Sequence, residues 1–169
     1  MDIRDVLTLD HREAVKLVQL LGDSDNVDCC IAAQHRLVEL VRVHTHAEED
    51  IVYRALRRAR PQQATEFLAQ AELEHQQVEQ FLTELAESPP ASPDWRSQAR
   101  RLLDALVSHI ADEHDRTLPL LGAFFSAEQR AGMATRFLLT RNEPPWTAGD
   151  PGVCPLARWC AQRDTVSRA

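Results

Sequence analysis

Four histidines and two glutamates recur at matching positions in the two halves of this sequence. The pair Asp10-His11 is repeated as Glu74-His75, and the segment His44–Glu48 is repeated at almost the same offset as His109–Glu113. Each half therefore contains a lone histidine followed by a His-x-x-x-Glu motif. Imidazole nitrogens and carboxylate oxygens together suit iron, zinc and manganese, so the repeat points to a metal centre. The candidate ligands are His11, His44, Glu48, His75, His109 and Glu113.

The spacing of each His-x-x-x-Glu motif is that of an α-helical face. Residues four apart on a helix differ in direction by about 40°, so both side chains can reach the same metal pair. Leu37, Leu40 and Val41 extend the face that carries His44, so this face is predicted to point inward. Buried polar groups without partners cost about 1 to 3 kcal/mol each, and a bound cation offsets that cost. We therefore predict that the six side chains bind metal rather than serve as polar residues of a core.

Three further histidines, His35, His46 and His114, do not share the face of the candidate ligands. On a helical wheel, His35 and His46 point about 180° and about 200° away from His44. His114 points about 140° away from His109. We interpret these three as surface residues or as residues that support the ligands.

An acid directly precedes the lone histidine of each half, Asp10 before His11 and Glu74 before His75. Carboxylates often orient metal-binding imidazoles, but adjacent residues of a helix point about 100° apart. We therefore interpret Asp10 and Glu74 as surface residues.

Four amphipathic segments supply the framework that must position these residues. They run from about Ile3 to Leu21, from near Val27 to Arg58, from Pro61 to about Ala86, and from Pro93 to about Phe125 with a bend at Pro119. Ser126 and Gln129 form a capping box that predicts a short fifth helix to about Thr140. The predicted fold is all-α: an antiparallel up-down-up-down four-helix bundle with a short extra C-terminal helix and an irregular tail. We assign residues 1–125 to the bundle and residues 126–169 to the short helix and the tail.

Composition and charge exclude several classes of protein. The 169 residues suffice for one compact core, and a net charge of −7 argues against a general nucleic-acid binder, which needs a basic face. No apolar run approaches the roughly 18 to 20 residues that span a bilayer. Acids follow Met1 where a signal peptide carries basic residues. We expect a cytoplasmic protein without a membrane or nucleic-acid partner, and we leave its oligomeric state open.

The cysteines are expected to be free thiols. A reducing cytoplasm disfavours disulfides, and neither pair of neighbouring cysteines has a spacing that favours a bridge or a metal site. The cysteines are Cys29, Cys30, Cys154 and Cys160.

Taken as a set, the histidine and glutamate motifs resemble the haemerythrin-like, or HHE cation-binding, family over about residues 1–125. The motifs that carry the resemblance are Asp10-His11-Arg12, His44–Tyr53, Glu74-His75 and His109–Leu121. The resemblance implies a four-helix bundle around a non-haem di-iron centre. The terminal nitrogen ligands that it implies are His11, His44, His75 and His109, and the implied bridging carboxylates are Glu48 and Glu113.

The sequence departs in two places from the oxygen-carrying haemerythrins that it resembles. Where their third helix has a second histidine, four residues after the first, this chain has Glu79. Where their fourth helix ends its motif in an aspartate five residues after the histidine, this chain has Glu113 four residues after it, followed by His114. These departures argue against an oxygen carrier and not against the family. Glu79, and Glu49 beside Glu48, are further candidates for metal binding.

The number of ligands indicates the expected reactivity. Two octahedral irons need about 12 coordination positions, and four imidazoles, two bridging carboxylates and an oxo or hydroxo bridge leave about two of them open. We therefore expect an iron pair, which Mn or Zn could replace, that binds and reacts with O2, peroxide or NO in defence, sensing or iron handling. An alternative is a di-iron oxidase or oxygenase of a small organic substrate, with the C-terminal tail shaping the pocket. A third alternative is a structural or partner-binding bundle without metal.

Overall fold

The computed structural model describes residues 1–59 and 61–142, and helices make up nearly all of this part of the chain. The first rod of the bundle is α1, and the second consists of α2, a π-helical segment (π1) and α3. The third rod is α4, and the fourth consists of α5, a second π-helical segment (π2) and α6, after which α7 follows. Their bounds are α1 Ile3–Asp23, α2 Val27–Ala47, π1 Glu48–Tyr53, α3 Arg54–Ala59, α4 Pro61–Glu87, α5 Pro93–Asp112, π2 Glu113–Thr117, α6 Leu118–Phe124 and α7 Ala127–Asn142.

Side-chain caps define where several helices begin. Asn26 accepts a hydrogen bond from the backbone N–H of Cys29 at 3.0 Å, and Ser92 accepts one from the backbone N–H of Trp95 at 3.2 Å. The capping box before α7 is confirmed, because Ser126 and Gln129 each accept a hydrogen bond from the backbone N–H of the other, at 3.2 and 2.8 Å. Such caps satisfy N–H groups that have no partner within the helix. They therefore make these boundaries predictable from the sequence.

The four rods form the predicted all-α bundle. Each rod packs against the rods before and after it along the chain, and the fourth packs against the first through α5 and α1. Short connections between consecutive rods make neighbours antiparallel. Within residues 1–59 and 61–142, no helix has the length and apolar character needed to cross a membrane.

The apolar core is divided into two clusters along the bundle axis. The turn-end core lies near the α1–α2 turn and the α4–α5 loop, and its largest fully buried side chains are Leu21, Leu37, Leu82, Leu85, Trp95 and Leu102. The π-end core lies near the π segments, and its largest fully buried side chains are Ile3, Leu7, Tyr53, Leu56, Leu68 and Phe137. The space between these two clusters is where the polar ligands lie.

The structure differs from the sequence prediction in the second and fourth rods. Each was predicted as continuous α-helix, but a π segment interrupts each of them at Glu48 and at Glu113. Pro119, at which a bend was predicted, lies in the first turn of α6, directly after the second interruption. A π segment inserts an extra residue into a turn and is frequent at functional sites.

The predicted C-terminal helix is present as α7, which packs against α1, α2 and π1 and contributes Met133, Ala134 and Phe137 to the π-end core. Cys29 and Cys30 are free thiols, as predicted. The predicted tail, including Cys154 and Cys160, lies outside the described residues. The division between residues 1–125 and 126–169 stays a prediction.

Candidate metal centre

The six candidate ligands lie between the turn-end core and the π-end core. All of them are buried, with exposed fractions from 0% for Glu48 to 7% for His44. The helices α1 and α4 each supply one histidine, and the junctions α2–π1 and α5–π2 each supply a histidine and a glutamate. The structure therefore brings together the residues that the sequence repeat singles out.

The ligand atoms form two groups, each with two histidines and one glutamate. The groups are His11, His44 and Glu113, and Glu48, His75 and His109. Within each group the ligand atoms lie within 4.8 Å of one another. In both groups the Nε2 atoms of the two imidazoles are 3.1 Å apart. Each half of the sequence thus supplies both histidines of one group and the glutamate of the other.

Each of the two glutamates places one of its carboxylate oxygens between the two groups of ligand atoms. Oε2 of Glu48 lies 3.5 Å from Nε2 of His44 and 3.5 Å from Nε2 of His75. Oε2 of Glu113 lies 3.2 Å from Nε2 of His11 and 3.7 Å from Nε2 of His109. Each carboxylate therefore faces a histidine of both groups, which is the position that a carboxylate shared by two cations needs.

The π segments position these glutamates. Glu48 is the first residue of π1 and Glu113 is the first residue of π2, whereas His44 and His109 lie in the last turns of α2 and α5. Both His-x-x-x-Glu motifs therefore straddle the change from α-helix to π-helix. The wider π turn re-aims the side chains that follow it relative to the rest of the rod.

Three acids contact the outward-facing nitrogens of the histidines. Asp10 Oδ2 lies 3.3 Å from Nδ1 of His44, and Glu74 Oε2 lies 3.0 Å from Nδ1 of His109. The interpretation of Asp10 and Glu74 as surface residues is therefore wrong, and Asp10 is only 3% exposed. Asp10 and Glu74 each contact the histidine of the next helix along the chain. Such contacts fix the orientation of a metal-binding imidazole.

Glu49, the third of these acids, contacts the outward-facing nitrogen of His75. Its Oε1 lies 2.8 Å from Nδ1 of His75, on the side of the ring that faces away from the ligand groups. Glu49 belongs to neither group of ligand atoms found in the described residues. The structure therefore places it as a partner of a candidate ligand.

Two aromatic residues that the sequence analysis did not single out complete the surroundings of the centre. The hydroxyl of Tyr53 donates a hydrogen bond to Oε1 of Glu113 at 2.7 Å, and its ring stacks on His75 at 5.7 Å. Burial and the neighbouring carboxylates raise the pKa of Tyr53, so the hydroxyl keeps its proton in the metal-free protein. Phe137 of α7 packs edge-on against His44 at 5.7 Å. A tyrosine five residues after the His-x-x-x-Glu glutamate was the available signal for Tyr53.

In the metal-free protein, the buried acids and imidazoles shift one another's pKa. Burial alone would lower the pKa of His44, but Asp10 and Glu48 raise it to about 10. Burial alone would lower the pKa of His75, but Glu48 and Glu49 raise it to about 9. Burial alone would raise the pKa of Glu48, but the same two imidazoles lower it well below its ordinary value. A cation that binds here must therefore displace protons from His44 and His75.

The residues predicted to lie away from the centre do so. His46 and His114 are exposed and His35 is half-buried, and none of the three is part of a ligand group in the described residues.

Glu79, a further candidate ligand, is also half-buried and outside both groups. Burial raises its pKa, and the repulsion of Glu49 adds to this effect, while Arg42 and His75 oppose it.

A small cavity adjoins the imidazoles on the side of the turn-end core. Its walls combine the four candidate histidines, Asp10 and Thr45 with five apolar side chains, Ala14, Leu40, Val41, Val78 and Leu106. Its volume of about 20 Å³ admits one or two molecules of the size of water. The cavity therefore offers space beside the centre to a very small ligand.

A second small pocket adjoins Glu113. This cleft of about 10 Å³ lies between α4 and π2 and ends at Glu113 and Thr117, which are buried. Glu74, Asp112 and Arg116 line it, and Arg116 forms an ion pair with Asp112 at 2.7 Å.

The donor set fits a pair of cations. Both carboxylate oxygens of Glu48 are buried and accept no hydrogen bond from any described residue. In the metal-free protein the charged imidazoles of His44 and His75, at 3.5 Å, compensate this carboxylate, and a cation that displaces their protons would take over that role. Four imidazole nitrogens and oxygens of two carboxylates converge around the same space, which is a ligand set for iron, manganese or zinc.

Comparisons with known proteins agree with this geometry. A family model described as "Hemerythrin HHE cation binding domain" matches residues 2–121. An alignment of 143 residues is 24% identical to an uncharacterized hemerythrin-like protein of Schizosaccharomyces pombe and covers 85% of this chain and 70% of that protein. Another is 22% identical over 143 residues to a DNA nickase of Nostoc sp. and covers 85% of this chain and 40% of that protein. The chain thus spans less than half the length of the Nostoc relative.

The fold is also similar to that of a solved structure. The crystal structure of a hemerythrin HHE cation binding domain-containing protein from Mycobacterium kansasii superposes with a TM-score of 0.73 at 22% sequence identity. The match covers 94% of this chain and 98% of the other chain. At this identity, the likeness shows a shared fold.

Proposed function

Because this chain belongs to the haemerythrin HHE cation-binding family, we propose that its two ligand groups hold a pair of iron ions that binds and reacts with O2, peroxide or NO. Defence, sensing and iron handling are the roles that suit such a reaction. Bound iron would supply the redox chemistry, while the side chains of the protein bind the cations, orient the ligands and exclude water.

The observation that carries the proposal is the position of the two glutamates between two pairs of imidazoles. Oε2 of Glu48 is equidistant from His44 and His75, which belong to different groups. A site for one cation does not need this arrangement, whereas a site for two cations does. Mixed imidazole and carboxylate ligation favours iron, and manganese or zinc could bind the same donors.

The acids around the histidines support metal binding by defining which nitrogen is protonated. When Nδ1–H of His109 donates to Glu74, Nε2 keeps its lone pair for a cation. His44 and Asp10 have the same relation. These contacts hold the imidazoles in the orientation that a cation requires before it arrives.

The size of the cavity beside the imidazoles favours a very small ligand. A volume of about 20 Å³ suits O2, NO or peroxide and is far below the roughly 300 Å³ of an ordinary organic-ligand site. Walls such as Leu40 and Leu106 give it apolar surface, which suits neutral diatomic molecules. The alternative, an oxidase or oxygenase of an organic substrate, relies on the tail beyond Asn142, which lies outside the described residues.

We do not propose DNA nicking for this chain. The Nostoc relative that carries this name is 22% identical and extends well beyond the aligned region. A net charge of −7 is unfavourable for contact with phosphates, because such contacts need clustered lysine and arginine.

The test is iron content together with the response to small ligands. We expect purified wild-type protein to hold about two irons per chain, one for each ligand group. Adding NO to the ferrous form, or peroxide to either form, should change its absorption spectrum. Two results would refute the proposal. One is a chain that holds no iron after anaerobic loading, and the other is a loaded form whose absorption spectrum does not change with O2, peroxide or NO.

Matched histidine variants test the site itself. His44→Ala and His109→Ala each remove one imidazole from a group, so iron content should fall to about one per chain or less. His46→Ala and His114→Ala change exposed histidines on the same rods and should leave iron content unchanged. Equal iron loss in all four variants would show that the ligand assignment is wrong.

A further inference from the structure

We propose that Tyr53 makes the two bridging glutamates unequal. It restricts Glu113 to one carboxylate oxygen for metal binding, whereas Glu48 keeps both of its oxygens available. Because Glu113 offers only one oxygen, one coordination position stays free for an exogenous ligand. This position belongs to the cation held by His75 and His109. This inference rests on the proposed function, because it concerns how the same pair of cations is held.

The first step is the contact between Tyr53 and Glu113. The phenol hydroxyl donates to Oε1 of Glu113 at 2.7 Å, and Tyr53 has no exposed surface. Its ring is also held in place, because it lies almost parallel to the imidazole of His75, with an interplanar angle of 10°. The hydroxyl therefore has a fixed position and, among the described residues, a single carboxylate oxygen as its hydrogen-bond partner.

The second step is that the two carboxylate oxygens of Glu113 have different contacts. Oε1 faces Tyr53, while Oε2 faces the imidazoles of His11 and His109 at 3.2 and 3.7 Å. The oxygen that is free of the phenol is thus closer to His11, in the group that also contains His44. Glu113 is therefore positioned to give one oxygen mainly to the cation of that group.

Glu48 lacks such a restraint. Neither of its oxygens accepts a hydrogen bond from the described residues. Glu113 is the counterpart of Glu48 in the second half of the sequence. At the same offset, the counterpart of Tyr53 is Leu118, whose side chain has no hydrogen-bond donor. One glutamate of the pair therefore accepts a hydrogen bond from a phenol, and the residue that corresponds to this phenol in the other half of the sequence is a leucine.

The energetic consequence follows from the burial of the phenol. If Oε1 of Glu113 turned to a cation, the fully buried hydroxyl of Tyr53 would lose the partner to which it donates at 2.7 Å. An unpaired buried donor disfavours that arrangement by about tenfold or more. The cation of His75 and His109 would then have two imidazoles, oxygen from Glu48 and only the more distant contact with Oε2 of Glu113, so it is the one that accepts a small exogenous ligand.

The chain offers a direct probe, because Tyr53 is its single tyrosine. The tyrosine bands of the Raman spectrum report whether a phenol donates or accepts a hydrogen bond, and here they come from one residue. We would record them for the metal-free protein and after loading with two equivalents of Zn²⁺. The donor signature should persist in both states, whereas its loss on loading would mean that Tyr53 no longer holds Oε1 of Glu113, and would overturn the proposal.

The variant Tyr53→Phe removes only the hydroxyl and keeps the ring on His75. With Co²⁺ as the probe metal, it should still bind two ions per chain, but the visible bands should lose intensity because one cobalt gains an oxygen ligand. Azide should bind to the iron-loaded variant about tenfold more weakly than to wild type. Leu118→Met, a volume-conserving change at the corresponding position of the other half, should alter neither measurement.

The outcomes separate this inference from the proposed function. Fewer than two ions per chain in wild type would refute the pair of cations itself. Two ions per chain, with cobalt bands and azide affinity that are the same in wild type and Tyr53→Phe, would refute the role of Tyr53 and leave the pair of cations standing.

Discussion

In the first half of the chain, Asp10 lies against Nδ1 of His44, and in the second half Glu74 lies against Nδ1 of His109. The inner nitrogens correspond as well, because the two imidazoles that each half supplies face each other with Nε2 atoms 3.1 Å apart. The two halves thus build their histidine pairs in the same way, down to the carboxylate behind one ring of each pair.

The halves differ in the residues that the repeat does not duplicate. Glu49 contacts His75, but the residue at the corresponding position of the second half, His114, is exposed. Tyr53 donates to Glu113, while Phe137 packs against His44. The candidate ligands of the two groups are therefore equivalent in type, and the residues that contact them distinguish one group from the other.

The largest expected effect concerns the protons that occupy the metal-free centre. The folded pKa values of His44 and His75, about 10 and about 9, lie above the ordinary value of 6.5. Protonation therefore stabilises the fold fully below about pH 6.5, and this contribution is lost as the pH rises through about 9 to 10. We expect the free energy of unfolding of the metal-free protein to fall by on the order of a few kcal/mol over this range, as measured in denaturant.

Bound Zn²⁺ should abolish this fall, because the cation replaces the protons. Asp10→Asn should reduce the fall more than Glu49→Gln, since Asp10 supports the histidine with the higher pKa. A metal-free protein whose stability rises from pH 6.5 to 10 would contradict the charge arrangement described here.

The next effect concerns the two acids that correspond in the repeat. Asp10→Asn and Glu74→Gln should each weaken Zn²⁺ binding by about 10- to 100-fold, because each removes the carboxylate behind one imidazole of a histidine pair. Competition with a chelator measures both affinities. The two losses should be similar, and a loss confined to one variant would show that the halves are not equivalent at this level.

The smallest expected effect on Zn²⁺ affinity concerns Glu49, because the second half of the sequence has no acid at the corresponding position. Glu49→Gln should weaken Zn²⁺ binding by less than Asp10→Asn, since the Glu49 side chain is 41% exposed and water can replace part of its contact with His75. His114→Gln, at the corresponding position of the second half, should leave the affinity unchanged. Equal losses in Glu49→Gln and His114→Gln would remove this difference between the halves.

Much of this arrangement could be predicted from the sequence, because the signals are local. Ser92 and Ser126 define helix starts through caps that lie close to them in sequence. The spacing within each His-x-x-x-Glu motif defines a helical face, and the face of His44 and Glu48 is buried. The repeat singled out the remaining candidate ligands.

The features that could not be predicted depend on what lies across the bundle. A helical wheel gives the direction of Asp10 relative to His11, but it does not say that His44 of the next helix lies in that direction. Tyr53 and Glu113 are 60 residues apart in sequence, so no local pattern links them. The π segments differ from α-helix by a shift of hydrogen bonds that leaves no clear mark on apolar periodicity.

Anomalous diffraction at the iron edge, from crystals of the iron-loaded protein, tests the central claim most directly. We predict two iron peaks per chain, separated by roughly 3.5 to 4 Å as in other two-metal sites, one beside His11 and His44 and the other beside His75 and His109. A single peak, or peaks that lie away from these imidazoles, would contradict the account.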